Sequence, residues 1–139
     1  MVIENTKLRE LLETLDTETS YLKQKQSISL EDYLSSWEIQ HIVERAFEQA
    51  IQACIDISAR LISIKKLPTA DDYHGIFDVL LQQNIIPSEF LKRMHQMIGF
   101  RNALVHEYRH IKHEEVYRHL QENLSLFPEF AAHIIKFLS

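Results

Sequence analysis

One stretch, "GFRNALVHEYRH" at positions 99–110, brings a guanidinium (Arg101), an amide (Asn102), an imidazole (His106) and a phenol (Tyr108) together, with Arg109 and His110 directly behind. A guanidinium binds phosphate or carboxylate as a permanent, forked cation. An imidazole takes up and gives back a proton near neutral pH. An amide orients either of them, and a phenol both donates and accepts. The set is equipped to hold an anion and move a proton beside it.

Helical spacing sorts these residues. At roughly 100° per residue with Arg101 at 0°, Tyr108 falls near −20°, Arg109 near 80°, Asn102 near 100° and His106 near 140°. Phe100, Leu104 and Ile111 fall at about 260–300°, with Met97 near 320° and Val105, the exception, near 40°. The polar side chains share one broad face, and Asn102 and His106, four apart, are within reach of each other. Spacing alone leaves two readings open, a solvated amphipathic face and a reactive one.

Charge favours an anionic ligand at this end of the chain. The whole protein carries a net charge of −5, but the segment Lys92–His119 carries +3 and the remainder −8. Five of the eight histidines fall in the positive segment. A local basic patch on an acidic body suits RNA or another phosphate-bearing ligand and excludes a generally basic binder. Lys92, Arg93, Arg109 and Lys112 are the candidates for tracking such a backbone, with solvated surface charge as the alternative.

The elements that must position this stretch are helical. Two glycines and three prolines in 139 residues are too few for the frequent turns of a β-rich fold. Five helical pieces are expected. The first spans Asn5–Gln26, with Leu8, Leu11, Leu12, Leu15 and Leu22 on one stripe. A short turn follows at Ser29–Asp32, and Ser35 or Ser36 can cap the next helix. The longest helix, Trp37–Lys65, repeats apolar residues every seven positions from Ile39 to Ile64. Ile42, Phe47, Ile51, Ile55 and Ile62 widen its apolar face, which demands burial on more than one side. Pro68 ends that segment and Asp71–Gln83 forms the next, opened by acidic residues. The fourth helix runs from Pro87 to about His106, and the fifth from His113 to about Leu138 with a bend at Pro128. The expected architecture is all-α, an up-and-down four- to five-helix bundle in a single domain over residues 1–139.

Other function classes recede. Cys54 is the only cysteine, so neither a disulfide framework nor a cysteine zinc site can form within the chain. "HIKHEE" places His110, His113 and Glu114 close together, but a surface turn explains them better than a metal site. No signal core opens the chain and no apolar run is long enough to span a bilayer, so no membrane association is expected and the cytoplasm is the default compartment.

Arg101, Asn102, His106 and Tyr108 form R-N-x-x-x-H-x-Y, which resembles the R-x4-H-x-Y signature of HEPN-domain ribonucleases and, within them, the HepT toxins. The size, the helical pattern, the motif's place late in the fourth helix and the "ARLISIKKLPTADDYHGIFDVL" region extend the resemblance over nearly the whole chain. It implies a toxin of a toxin–antitoxin system, a two-fold homodimer whose paired motifs build one composite endoribonuclease site without metal or cofactor. Arg101 would bind the scissile phosphate and His106 would act as general acid or base for attack by the RNA 2′-hydroxyl. Asn102 would orient His106 or the phosphate. Tyr108 would receive AMP from a cognate nucleotidyltransferase antitoxin of the MntA type, placing negative charge and an adenosine beside the cleft. The alternative is a non-catalytic HEPN scaffold or nucleotide-binding partner of a nucleotidyltransferase.

Asp56, in the apolar run "ACIDISAR", is a candidate second-layer partner of Arg101 or His106, with an ion pair to Arg60 as the plainer reading. Trp37 and Phe47 read as core or interface residues, and Cys54 as a small core residue.

Overall fold

The computed structural model describes residues 3–106 and 111–139. Within them the chain forms seven helices: α1 (Thr6–Lys25), α2 (Leu30–Ser35), α3 (Trp37–Ile64), α4 (Tyr73–Gln82), α5 (Ser88–His106), α6 (His113–Glu122) and α7 (Leu126–Leu138). No strand occurs among the described residues.

Local chemistry sets the helix ends. Asn5, Ser29, Ser36 and Asp72 each accept a hydrogen bond from the backbone N–H three residues on, the usual satisfaction of a helix's orphan donors. Of the two serines that can cap α3, Ser36 does so. Ser35 instead donates its hydroxyl to Glu31 and Asp32 carbonyls. Asp72 as the cap starts α4 at Tyr73, two residues later than Asp71. With few glycines available, Lys66 (φ 54°) and Asn84 (φ 60°) take the left-handed positions after α3 and α4. Leu67 N–H then bonds Ile62 O and Ile85 N–H bonds Leu80 O, closing both helices with six-to-one links.

α3 is the spine and packs on α1, α2, α4, α5 and α7. Val43, Ala46, Ala50, Cys54, Ile57 and Leu61 of its heptad run, and Phe47 beside it, are fully or almost fully buried. Each large apolar side chain so buried stabilises the fold by about 1.5–3 kcal/mol relative to exposure. Phe47 sits at 5.3 Å from Phe100 of α5 and 6.4 Å from Phe127 of α7, joining three helices. Trp37 is not core: it is 71% exposed and its ring lies against His41.

The expected fifth helix is two. α6 ends at Glu122, and α7 restarts at Leu126 after a turn in which Leu126 N–H bonds Asn123 O and Phe127 N–H bonds Leu124 O. Pro128 therefore causes no bend. It stands in the first turn of α7, where a missing N–H costs nothing. The break lets Leu124, Leu126 and Phe127 all reach the core. α6 is tied to the α1–α2 joint by three long-range bonds: Gln26 to Leu120 O, Gln121 to Gln26 O and Tyr117 to Ile28 O. No described helix is long and apolar enough to cross a membrane.

Candidate active site

α5 carries the candidate residues on its last two turns. Phe90, Met94, Met97, Ile98 and Leu104 turn inward and fix its rotation. That rotation leaves Arg101 and Asn102 half-buried and His106 exposed at the helix end. Gly99, just before them, would meet nothing within 4 Å if it carried a Cβ, so the outer face of α5 is open there.

The Arg101 guanidinium is held from three directions. Nη1 donates to Asn102 Oδ1 at 3.2 Å and Nη2 donates to Gln52 Oε1 at 3.1 Å. Its carbon lies 5.0 Å from the centroid of the Tyr73 ring, a cation–π contact from the start of α4. Nε is buried without a partner. Gln52 in turn donates its Nε2 to Asp56 Oδ1 at 3.0 Å. Asp56, Gln52, Arg101 and Asn102 thus form one chain of side chains across α3 and α5, floored by Tyr73.

Asp56 reaches Arg101 through Gln52, not directly, and no ion pair links it to Arg60 among the described residues. Asn102 binds Arg101, and no hydrogen bond joins it to His106. Gln52 and Tyr73 are the two contributors that spacing did not reveal. The one signal for Gln52 is a polar residue four before Asp56 inside an apolar run. Tyr73 carries none, because it comes from another helix 28 residues away in sequence.

The candidate backbone-tracking cations separate. Arg93 pairs with Glu129, bonds Ser125 and lies over Phe90, so it braces α5 against α7. Lys92 is exposed on the side of α5 roughly opposite Arg101. Lys112 is exposed at the head of α6. Tyr108 and Arg109 lie outside the described residues.

Two further polar groupings flank the site. His95 Nε2 stands 2.9 Å from Asp78 Oδ1 and edge-on to His74, clamping α4 to α5. His113, the first residue of α6, has its Nδ1 3.4 Å from Glu44 Oε2 on α3. Burial pushes the Glu44 carboxyl above its ordinary value, partly offset by His113 and His41. Among the described residues no group of three or more His, Cys, Asp or Glu is placed to hold a metal ion.

Comparison with known proteins adds four likenesses. Residues 7–134 match the HepT-like family, described as Ribonuclease HepT-like. The chain is 35% identical over 129 residues to the tRNA nuclease HepT of Aphanizomenon flos-aquae (strain 2012/KM1/D3), covering 91% of this chain and 86% of that one. It is 28% identical over 83 residues to the mRNA nuclease HepT of Shewanella oneidensis, covering 60% and 62%. The fold superposes with a TM-score of 0.86 on a tri-AMPylated Shewanella oneidensis HEPN toxin solved in complex with MNT antitoxin, at 22% identity and over 96% of this chain and 98% of that one.

Proposed function

The chain belongs to the HepT-like ribonuclease family, and on that footing we propose that it is the toxin of a toxin–antitoxin pair, an endoribonuclease acting through Arg101 and His106. What carries the reading is how α5 presents these two residues. Arg101 is anchored beside α3 and α4, while His106 stands exposed at the helix end, about 140° further round. That spacing sets the two residues of one copy well apart around the helix, and a second copy facing the first would complete the cleft between them. A two-fold homodimer with facing α5 ends brings the arginines and histidines of both motifs to one cleft.

In that cleft the Arg101 guanidinium binds the scissile phosphodiester and stabilises the charge that grows on its oxygens. One His106 accepts the proton of the RNA 2′-hydroxyl as its oxygen bonds to phosphorus. The other donates a proton to the departing 5′-oxygen. The products are a 2′,3′-cyclic phosphate and a 5′-hydroxyl, and DNA, lacking the nucleophile, is spared. Asn102 steadies Arg101. The inhibiting partner is a nucleotidyltransferase of the MntA type that joins AMP from ATP to the Tyr108 oxygen, with pyrophosphate leaving and the phenolic proton released. The added phosphodiester competes with RNA for Arg101.

The test is incubation of the purified protein with end-labelled RNA in EDTA. Fragments ending in 2′,3′-cyclic phosphate are expected. Uncut RNA would turn the reading toward a non-catalytic scaffold for a nucleotidyltransferase.

A further inference from the structure

Gln52 lies outside the stretch that carries the chemistry, yet it links that stretch to the central helix. A guanidinium only donates hydrogen bonds and an ionised carboxylate only accepts them. A side-chain amide serves both, with its oxygen toward Arg101 and its nitrogen toward Asp56. The two partners therefore dictate which way round the amide lies.

The consequence is electrostatic. Arg101 is held by two amide oxygens and an aromatic face, all uncharged. Three other arginines of this chain are held differently: Arg45 pairs with Glu48, Arg93 with Glu129, and Arg118 with Glu115 and Glu122. A carboxylate at position 52 would grip Arg101 more strongly but would cancel its charge. The nearest acid along this chain of side chains, Asp56, is kept one residue away from the guanidinium by Gln52.

We propose that Gln52 is a positioning and specificity residue that holds the Arg101 guanidinium through a neutral contact, oriented by Asp56, so that the site keeps its positive charge for a phosphodiester. This rests on the reading of Arg101 as the phosphate-binding group.

Three variants separate charge from packing: Gln52→Met, Gln52→Glu, and Gln52→Glu combined with Asp56→Asn. The last removes the carboxylate repulsion at i,i+4 that Gln52→Glu alone would create, and circular dichroism checks that each folds. Two readouts are taken. One is RNA cleavage and binding across salt concentrations. The other is a titration with inorganic phosphate followed by the NMR signals of the Arg101 guanidinium.

Both glutamate variants should raise KM, weaken RNA binding about fivefold near 0.1 M salt and flatten the log–log salt slope by about 0.7 for each phosphate no longer neutralised. Their Arg101 signals should no longer respond to phosphate. Gln52→Met should keep the salt slope and the phosphate response while kcat falls. The proposal is overturned if the combined variant keeps the wild-type salt slope and phosphate response, if Met and Glu behave alike, or if wild-type Arg101 ignores phosphate while RNA is cut. If wild-type protein leaves RNA intact yet its Arg101 responds to phosphate and that of the glutamate variants does not, the neutral cradle stands and the ribonuclease reading falls.

Discussion

The His119 ring stacks on Phe100, with centroids 4.2 Å apart and planes 26° apart, so α6 bears on the residue directly before Arg101. His119 is 7% exposed, and Asn123 Nδ2 donates to its Nδ1 at 2.8 Å, which requires the neutral ring. Burial and the nearby Arg118 hold its pKa below the ordinary 6.5, with Glu115 and Glu122 pulling the other way. The unfolded chain takes up this proton near 6.5 and the folded one only lower. The stability this group contributes is therefore complete above 6.5 and is lost as pH falls toward the folded value. The melting temperature should drop on acidification through this window. His119→Phe, which keeps the stack and removes the titration, should flatten the drop; parallel profiles of the two proteins would count against the assignment.

Glu44 works in the opposite sense. Its pKa is raised from 4.5 by burial, so the folded state binds the proton more tightly than the unfolded chain. Stability from this group falls as pH rises from about 4.5 through the folded value, and the charged form is a cost at neutrality. Glu44→Gln should raise the melting temperature at neutral pH, with the gain vanishing at acid pH. A gain that persists unchanged at low pH would show that something other than the buried charge is responsible.

Tyr73 restrains Arg101 through its ring face. A cation–π contact of this kind is worth about 0.5–1 kcal/mol. Tyr73→Leu should slow RNA cleavage by about two- to fivefold, while Tyr73→Phe, which keeps the ring, should lose less. Equal losses in the two variants would assign the effect to the hydroxyl.

Arg101→Ala should lower the RNA cleavage rate by on the order of a hundredfold or more, as loss of a charge-stabilising donor does. His106→Ala should do the same through loss of proton transfer, typically ~100-fold or more. Both should relieve growth arrest on expression. A His106→Ala protein as toxic as wild type would displace the histidine from its role.

Modification has its own readout. Coexpression with a nucleotidyltransferase of the MntA type should increase the protein's mass by one or more AMP units, and Tyr108→Phe should abolish the increase. An unchanged mass in the wild type would remove Tyr108 as the acceptor.

Much of this molecule is written in short-range spacing. The seven-residue run from Ile39 to Ile64 announces the central helix, and nearly all of its inner positions are buried. Ser29 and Ser36 mark helix starts three residues before the donors they satisfy. The R-N-x-x-x-H part of the pattern falls at the end of α5 because Arg101, Asn102 and His106 lie within about one and a half helical turns of one another. These features depend on the helical period and on backbone groups a few residues away, which sequence states directly. Partners across the bundle are another matter. Gln52 meets Arg101 across 49 positions, Arg93 meets Glu129 across 36, and His113 meets Glu44 from a different helix. The division of the last segment into α6 and α7 belongs with them, since Leu124, Leu126 and Phe127 reach the core only if the helix breaks. Such pairings follow from how far each helix is rotated and where it crosses its neighbours, and the packing of the whole core sets those quantities. The sequence by itself determined which residues could do chemistry. Only the tertiary structure decided that the arginine among them is held by uncharged groups.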